Sequence, residues 1–399
     1  MPLIGEVIPS ARSAAIGYFV RTGSRDETPA ESGVSHFLEH MMFKGTQRRT
    51  ALDVNLDFDR IGASYNAFTS EEITAYYASV LPEYLPDAVD ILTDILRPSL
   101  RQEDFDTEKQ VILEEIGMYE DMPSSAAFDH ARIHYFKGHP LGNSVLGTKE
   151  SVTALTRDAM QAYFDRRYTP SNIVAVAAGK FDWQQFVDLT AKGSGRWSDC
   201  PVPRRVLSAV PSPGGLFAVP KEGVAQEQII VLSTGPAADD ELRYAAGVLS
   251  VALGDETGSR LYWSIVDPGH ADSASCSIDT SEGSGTICTF VTCEKDTAKD
   301  NLARVHDVLG EVQLAGLKDE ELAAAKSKIA SRVIRGSERS QGRMRALAGA
   351  WLYRGERSDP EVELARYDAV TSADIRRVLD RFPITQTTII GYGPCQSLN

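Results

Sequence analysis

The sequence predicts an α+β sandwich built twice along one chain. Three observations lead there. β-rich runs such as "AAIGYFV", "ITAYYASV" and "EQIIVLSTG" alternate in blocks with helical stretches. That pattern suits a largely antiparallel sheet with helices packed on one face. Two distant segments also resemble each other: residues 152–179, "VTALTRDAMQAYFDRRYTPSNIVAVAAG", and residues 367–393, "YDAVTSADIRRVLDRFPITQTTIIGYG". Both read Ala-(Leu/Val)-Thr, an amphipathic helix ending in basic residues, then a β-rich strand closing on Gly, with Thr156 matching Thr371. A repeat this long indicates two homologous domains, because solenoid periods are about 20–50 residues. Finally, prolines and glycines interrupt any regular pattern over "GSGRWSDCPVPRRVLSAVPSPGG", residues 193–215, as a linker would. The expected division is residues 1–198, a linker at 199–215, and residues 216–399.

The bulk numbers agree with two soluble domains. The chain has 399 residues, 42% hydrophobic and 24% charged, in the range of globular proteins. A net charge of −15 argues against sequence-independent nucleic-acid binding. No apolar run approaches the ~18–20 residues of a membrane span. The start, "MPLIGEVIPSARSAAIGYFV", lacks the basic-then-apolar pattern of a secretory signal. Five cysteines, odd in number and without C-x-x-C spacing, fit reduced thiols in a cytoplasm better than a disulfide framework.

The first helix carries the chemistry. In "ESGVSHFLEHMMFKGT", residues 31–46, Val34, Phe37, Leu38, Met41 and Met42 recur at the spacing of one buried stripe. His36, Glu39 and His40 fall on the other side, where they form either a solvated face or two metal ligands beside a carboxylate. Hydrolysis at a zinc ion needs a third protein ligand and an open position. The acidic helix expected over 103–121, "EDFDTEKQVILEEIGMYED", offers one. Glu108, Val111, Ile112 and Glu115 share a face at i, i+3, i+4 and i+7. Glu115 is therefore the better inward carboxylate, with Glu108 two turns earlier and Glu114 turned to solvent. A rival cluster lies in "FDHARIHYFKGHPLG", with His130 and His134 at i, i+4 and His139 nearby, but no general base adjoins it. The stretch of the second half that corresponds to the motif, "ELRYAAGVLSVALGDETGSRLYW", has no histidine. One half then catalyses while the other supports or binds.

The inverted order H-x-x-E-H resembles the pitrilysin-type inverzincins, which include insulin-degrading enzyme and mitochondrial processing peptidase. The likeness extends through "GSRDETPAESGVSHFLEHMMFKGT", "RIGASYNAFTSEEITAYYASVL", "EKQVILEEIGMYEDMP" and "HPLGNSVLGT", in family order. It covers essentially the whole chain and is strongest over residues 15–180, and in size and sequence the chain looks most like short bacterial members. The resemblance implies one zinc per chain held by His36, His40 and Glu115. It makes Glu39 the general base and Glu108 an auxiliary carboxylate. It places a substrate-binding edge strand on "SYNAFT", with Asn66 and Ala67 meeting the peptide backbone. It assigns Arg260, in "GSRLYW", a reach into the active site.

Two departures from the family pattern stand out. Where the family has a tyrosine after that arginine, "SRLYWSIVDPGHADSAS" has Asp272 or a neighbour, so Tyr262 or the metal alone must substitute, or turnover is modest. The family also has one more strand before "SARSAAIGYFV", and little chain precedes it here, which implies a shortened first-sheet edge or a longer true start. The function implied is a zinc metalloendopeptidase acting on unfolded or short peptides added to an edge strand. Asn66 or Arg260 would donate to the scissile carbonyl oxygen. The chain would pair with itself or with a homologous chain. The alternative is a subunit of a heteromeric processing peptidase, or a non-catalytic scaffold subunit.

Overall fold

Strand content, helix order and the repeat all emerge in the computed structural model, which describes residues 1–207 and 211–398. Three residues of the expected linker, 208–210, lie outside the described residues. The elements run β1 (Leu3–Val7), β2 (Ala14–Val20), α1 (Val34–Met41), α2 (Ala51–Arg60), β3 (Ser64–Thr69), β4 (Thr74–Val80), α3 (Leu85–Ile95), α4 (Gln102–Glu120) and α5 (Pro123–Tyr135). After them come α6 (Lys149–Ala154), α7 (Arg157–Arg167), β5 (Ile173–Gly179) and α8 (Trp183–Ser194). The later half has β6 (Leu216–Pro220), β7 (Gln226–Thr234), α9 (Arg243–Gly254), β8 (Ser273–Ser281), β9 (Ser284–Glu294), α10 (Ala298–Ala315) and α11 (Asp319–Ser337). It closes with α12 (Ser340–Arg354), α13 (Pro360–Asp368), α14 (Ser372–Arg381) and β10 (Thr387–Gly393).

The first sheet has the order β1-β5-β2-β4-β3 and the second β6-β10-β7-β9-β8, the same topology twice. Only the β1–β5 and β10–β6 pairings are parallel; the others are antiparallel. The repeat read from the sequence therefore has a structural counterpart. Thr156 and Thr371 each cap a helix, accepting from Ala159 N and Asp374 N, and those helices lead into β5 and β10, the matching second strands. Leu3–Val7 pairs with β5 and forms the edge of the first sheet.

By contacts the chain forms two units, neither contiguous in sequence. One comprises residues 1–117, 143–205 and 335–358; the other comprises 118–142, 206–334 and 359–399. This differs from the expected division at 198 and 216, because each unit takes a helix from the far half of the chain. In the first unit, Met344, Leu347 and Ala348 of α12 pack on Ala15, Phe19, Val174 and Val176 of the sheet. In the second, Ala127, Ala131 and Tyr135 of α5 pack on Ile230, Leu232 and Ile390. Each sheet thus carries its main helical layer on one face and a single helix from the far half of the chain on the other. The main helical layer of the first unit covers Ile16, Tyr18 and Val20, and α12 covers the alternate residues, so every residue of β2 is buried. An unbroken apolar run such as "AAIGYFV" is what burial on both faces requires.

Part of the expected linker is docked on the first unit. Arg204 is bidentate to Asp26 (Nε–Oδ1 3.0 Å, Nη2–Oδ2 2.6 Å), and Asp26 also pairs with Arg167 at 2.9 Å. Among the described residues no helix is long and apolar enough to cross a membrane.

Candidate active site

Helix α1 is held firmly at its N-terminal end. Its N-cap, Gly33, has φ +88°, and a Cβ there would stand 2.6 Å from Leu146 O, so only glycine fits. Glu27 accepts from the first free amides of the helix, Gly33 N and Ser35 N, both at 2.8 Å. Burial pushes the Glu27 carboxyl up to about 8 against those hydrogen bonds. The apolar stripe is fully buried, as the spacing predicts: Val34, Phe37, Leu38, Met41 and Met42 are at most 1% exposed. Phe37 stacks on Phe105 of α4 with ring centres 4.7 Å apart, which sets α1 against α4.

That contact brings the acidic helix into register. Phe105, Glu108, Ile112 and Ile116 are the buried residues of α4. Val111, expected on the inward face, is instead 43% exposed. Glu114 is exposed and Glu115 half-buried, so Glu115 is the carboxylate that faces α1. Its Oε2 lies 3.8 Å from His36 Nε2 and 3.4 Å from His40 Nε2. The three ligand atoms lie within 4.8 Å of one another, and this is the one His/Cys/Asp/Glu group of that kind among the described residues. Ligands at about 2.0–2.2 Å around a tetrahedral ion stand about 3.3 Å apart, so the cluster fits zinc with small adjustments. His130 and His134, the rival pair, form no such group: His130 stacks on Tyr392 and His134 Nδ1 bonds His130 O.

The surrounding charges suit the fit. His40 Nδ1 bonds Glu108 Oε1 at 2.8 Å, which fixes the tautomer and leaves Nε2 its lone pair for a metal. Glu108 Oε2 pairs with Lys44 Nζ at 2.5 Å. Burial raises the proton affinity of Glu108, but the hydrogen bonds from His40 and Lys44 outweigh it and hold the carboxyl below its ordinary range. For His40, burial is outweighed by the Glu108 hydrogen bond and by Glu115, so its pKa rises. Burial, then the charge of His40, pushes His36 down to about 3, keeping it neutral as a ligand must be. Burial raises Glu39 against the hydrogen bond from Thr69, whose Oγ1 donates to Oε2 at 2.6 Å.

Two histidines and a half-buried glutamate in the order H-x-x-E-H, facing a second carboxylate, match a known family. Residues 4–149 match the family described as Insulinase (Peptidase family M16), and residues 154–329 match Peptidase M16 inactive domain. The chain belongs to peptidase family M16. An uncharacterised zinc protease of Streptomyces coelicolor is 35% identical over 94% of this chain and 84% of its own length. The beta subunit of the mitochondrial-processing peptidase of Saccharomyces cerevisiae is 29% identical over 93% of this chain and 84% of its own. A Helicobacter pylori protease has the same fold, with a TM-score of 0.90 at 21% identity, covering 97% of this chain and 96% of that one.

The other residues expected from the M16 resemblance lie in varied settings. Asn66 and Ala67 are on β3, an edge strand that pairs, among the described residues, with β4 alone. Asn66 Oδ1 accepts from Ala67 N at 2.8 Å, occupying a backbone donor of that edge. Arg260 belongs to the second unit, where Glu321 takes up its guanidinium (Nε–Oε1 2.8 Å, Nη2–Oε2 2.9 Å). Tyr262 stands beside it in a single π-turn, edge-on to Trp263, and Asp272 accepts from Gln226. Sequence reading missed Glu27, Lys44 and Thr69. Each lies in a segment quoted for the resemblance, yet nothing in periodicity marks its partner.

Proposed function

We propose that this chain is a zinc-dependent metalloendopeptidase that cuts unfolded or short peptides lying extended along β3. The observation that carries the reading is the convergence of His36, His40 and Glu115 on one point, with Glu39 one residue before His40. When bound there, one zinc per chain supplies a Lewis acid that lowers the pKa of water towards ~7 and polarises a carbonyl oxygen. Glu39 takes the proton of the attacking water and passes it to the leaving amine. Its Oε1 has no protein partner among the described residues, which leaves it for that exchange. Glu108 keeps His40 in the ligating tautomer.

The free edge of β3 supports peptide binding by strand addition, with main-chain bonds giving affinity at little sequence cost. A peptide carbonyl at Ala67 would replace the bond that Asn66 now makes. Arg260 enters as a substrate-side donor on the strength of the resemblance, and in that role it exchanges Glu321 for substrate. The free thiols of all five cysteines support a cytoplasmic location. The yeast relative, named as a subunit, favours a second reading in which the chain works paired with a homologous or identical chain. The complete His36–Glu39–His40–Glu115 set speaks against a non-catalytic scaffold.

The test is metal content and cleavage of a quenched unstructured peptide by the purified chain. Glu39→Gln should keep zinc and lose roughly 10²–10⁴-fold in activity, the usual worth of a positioned base. Near-wild-type cleavage by that variant would place the chemistry elsewhere.

A further inference from the structure

Glu39 reaches its working position on a short helix, and its carboxylate has one polar side-chain partner among the described residues, Thr69. Thr69 is the last residue of β3. Alternation along the strand puts Tyr65, Ala67 and Thr69 on the face turned to the helices, and Tyr65 and Ala67 pack against that core. Thr69 itself is well fixed. It pairs with Thr74 across the sheet, and the turn after it is closed by Ser70 N and Ser70 Oγ, both bonding Ile73 O. A threonine side chain is also stiff at χ1, so its hydroxyl has few places to go.

We propose that Thr69 is the positioning residue for the general base. Its hydroxyl pins Glu39 Oε2, so that Oε1 faces the reacting water. The inference rests on the reading of Glu39 as base and of β3 as the peptide-binding edge. Its content is a mechanical link: the strand that would receive the peptide also holds the carboxylate that must meet the scissile bond. One rigid element then sets both partners of the proton transfer, and the alignment they need is sensitive to displacements of about 1 Å.

The experiment compares wild type, Thr69→Val, Thr69→Ser and Glu39→Gln as full-length, zinc-loaded protein. Valine keeps the volume and removes the hydroxyl; serine keeps the hydroxyl. Thr69→Val should lower kcat about 10- to 100-fold, as expected for losing a hydrogen bond to a charged group, with KM within about twofold and zinc affinity unchanged. Thr69→Ser should return kcat to within about threefold of wild type. A readout independent of turnover is the crystal structure of metal-free protein. Glu39 should keep one rotamer in wild type and Thr69→Ser and leave it in Thr69→Val. Wild-type kcat in Thr69→Val, a loss confined to KM, or a serine variant as impaired as the valine one would each overturn the proposal. If wild type cleaves nothing, or Glu39→Gln cleaves as well as wild type, the underlying function falls and this proposal with it. An inactive Glu39→Gln beside an unaffected Thr69→Val removes this proposal alone.

Discussion

Replacing Glu108 by Gln isolates the contribution of a residue that bonds a proposed metal ligand, His40, without being one. The side chain is 3% exposed and receives two charged or polar donors, His40 Nδ1–H at 2.8 Å and Lys44 Nζ at 2.5 Å. A glutamine offers one oxygen and a pair of N–H donors. One of those two neighbours therefore loses its acceptor and meets an N–H instead. Loss of the partner behind a ligating histidine typically costs about 10- to 100-fold in metal affinity. That is about 1.4–2.8 kcal/mol, and it agrees with the ~1.5–3 kcal/mol of a hydrogen bond to a charged group. Lys44 is 35% exposed, so solvent screens its share and the lower half of the range is expected. Zinc affinity is measured by competition with a chromophoric chelator, with Glu114→Gln as the control for loss of an acidic residue. The pH dependence adds a signature. Glu108 raises the proton affinity of His40, and that proton competes with zinc. The variant's deficit should therefore narrow as pH falls through the ordinary imidazole range, near 6.5. Affinity within about twofold of wild type, or an equal loss in Glu114→Gln, would refute the reasoning.

Glu115→Gln should empty the metal site while Glu114→Gln keeps it, read as zinc per chain after dialysis; the reverse result would exchange their roles. Glu27 has its pKa raised by burial to about 8, so its protonated form contributes stability present below the ordinary carboxylate range and lost as pH rises towards 8. Urea melts should show wild type losing its stability advantage over Glu27→Gln between pH 5 and 8, and a constant or growing advantage would count against the buried-acid reading. Leu347→Ala on α12 should destabilise the first unit by about 2–5 kcal/mol, the usual cost of truncating a buried leucine. For the same reason a fragment of residues 1–205 should fold poorly until a peptide of residues 335–358 is added, as followed by circular dichroism.

How far the sequence reached depends on what a sequence pattern encodes. Periodicity reports which side of an element is buried, and here that sufficed for the stripe of α1, for Glu115 over Glu114, and for the two threonine-capped helices that mark the repeat. Local chemistry also sufficed to bring His36 and His40 together, since two imidazoles four residues apart on a helix must share a face. The expected linker shows where such patterns stop. Its composition is that of a connection, yet Arg204 is fixed by Asp26, an acid far away in sequence. The run "AAIGYFV" already carried the two-sided burial of β2, although the helix that covers its second face lies some 320 residues downstream, where sequence offers no pointer. Tertiary structure alone decided the partnerships of Lys44 with Glu108, Thr69 with Glu39 and Glu27 with the start of α1, and the exchange of α5 and α12 between the halves. The physical reason is common to all of them. A hydrogen bond or a helix on a sheet is specified by where two segments meet in space, and a pattern along one segment records only that it has a partner.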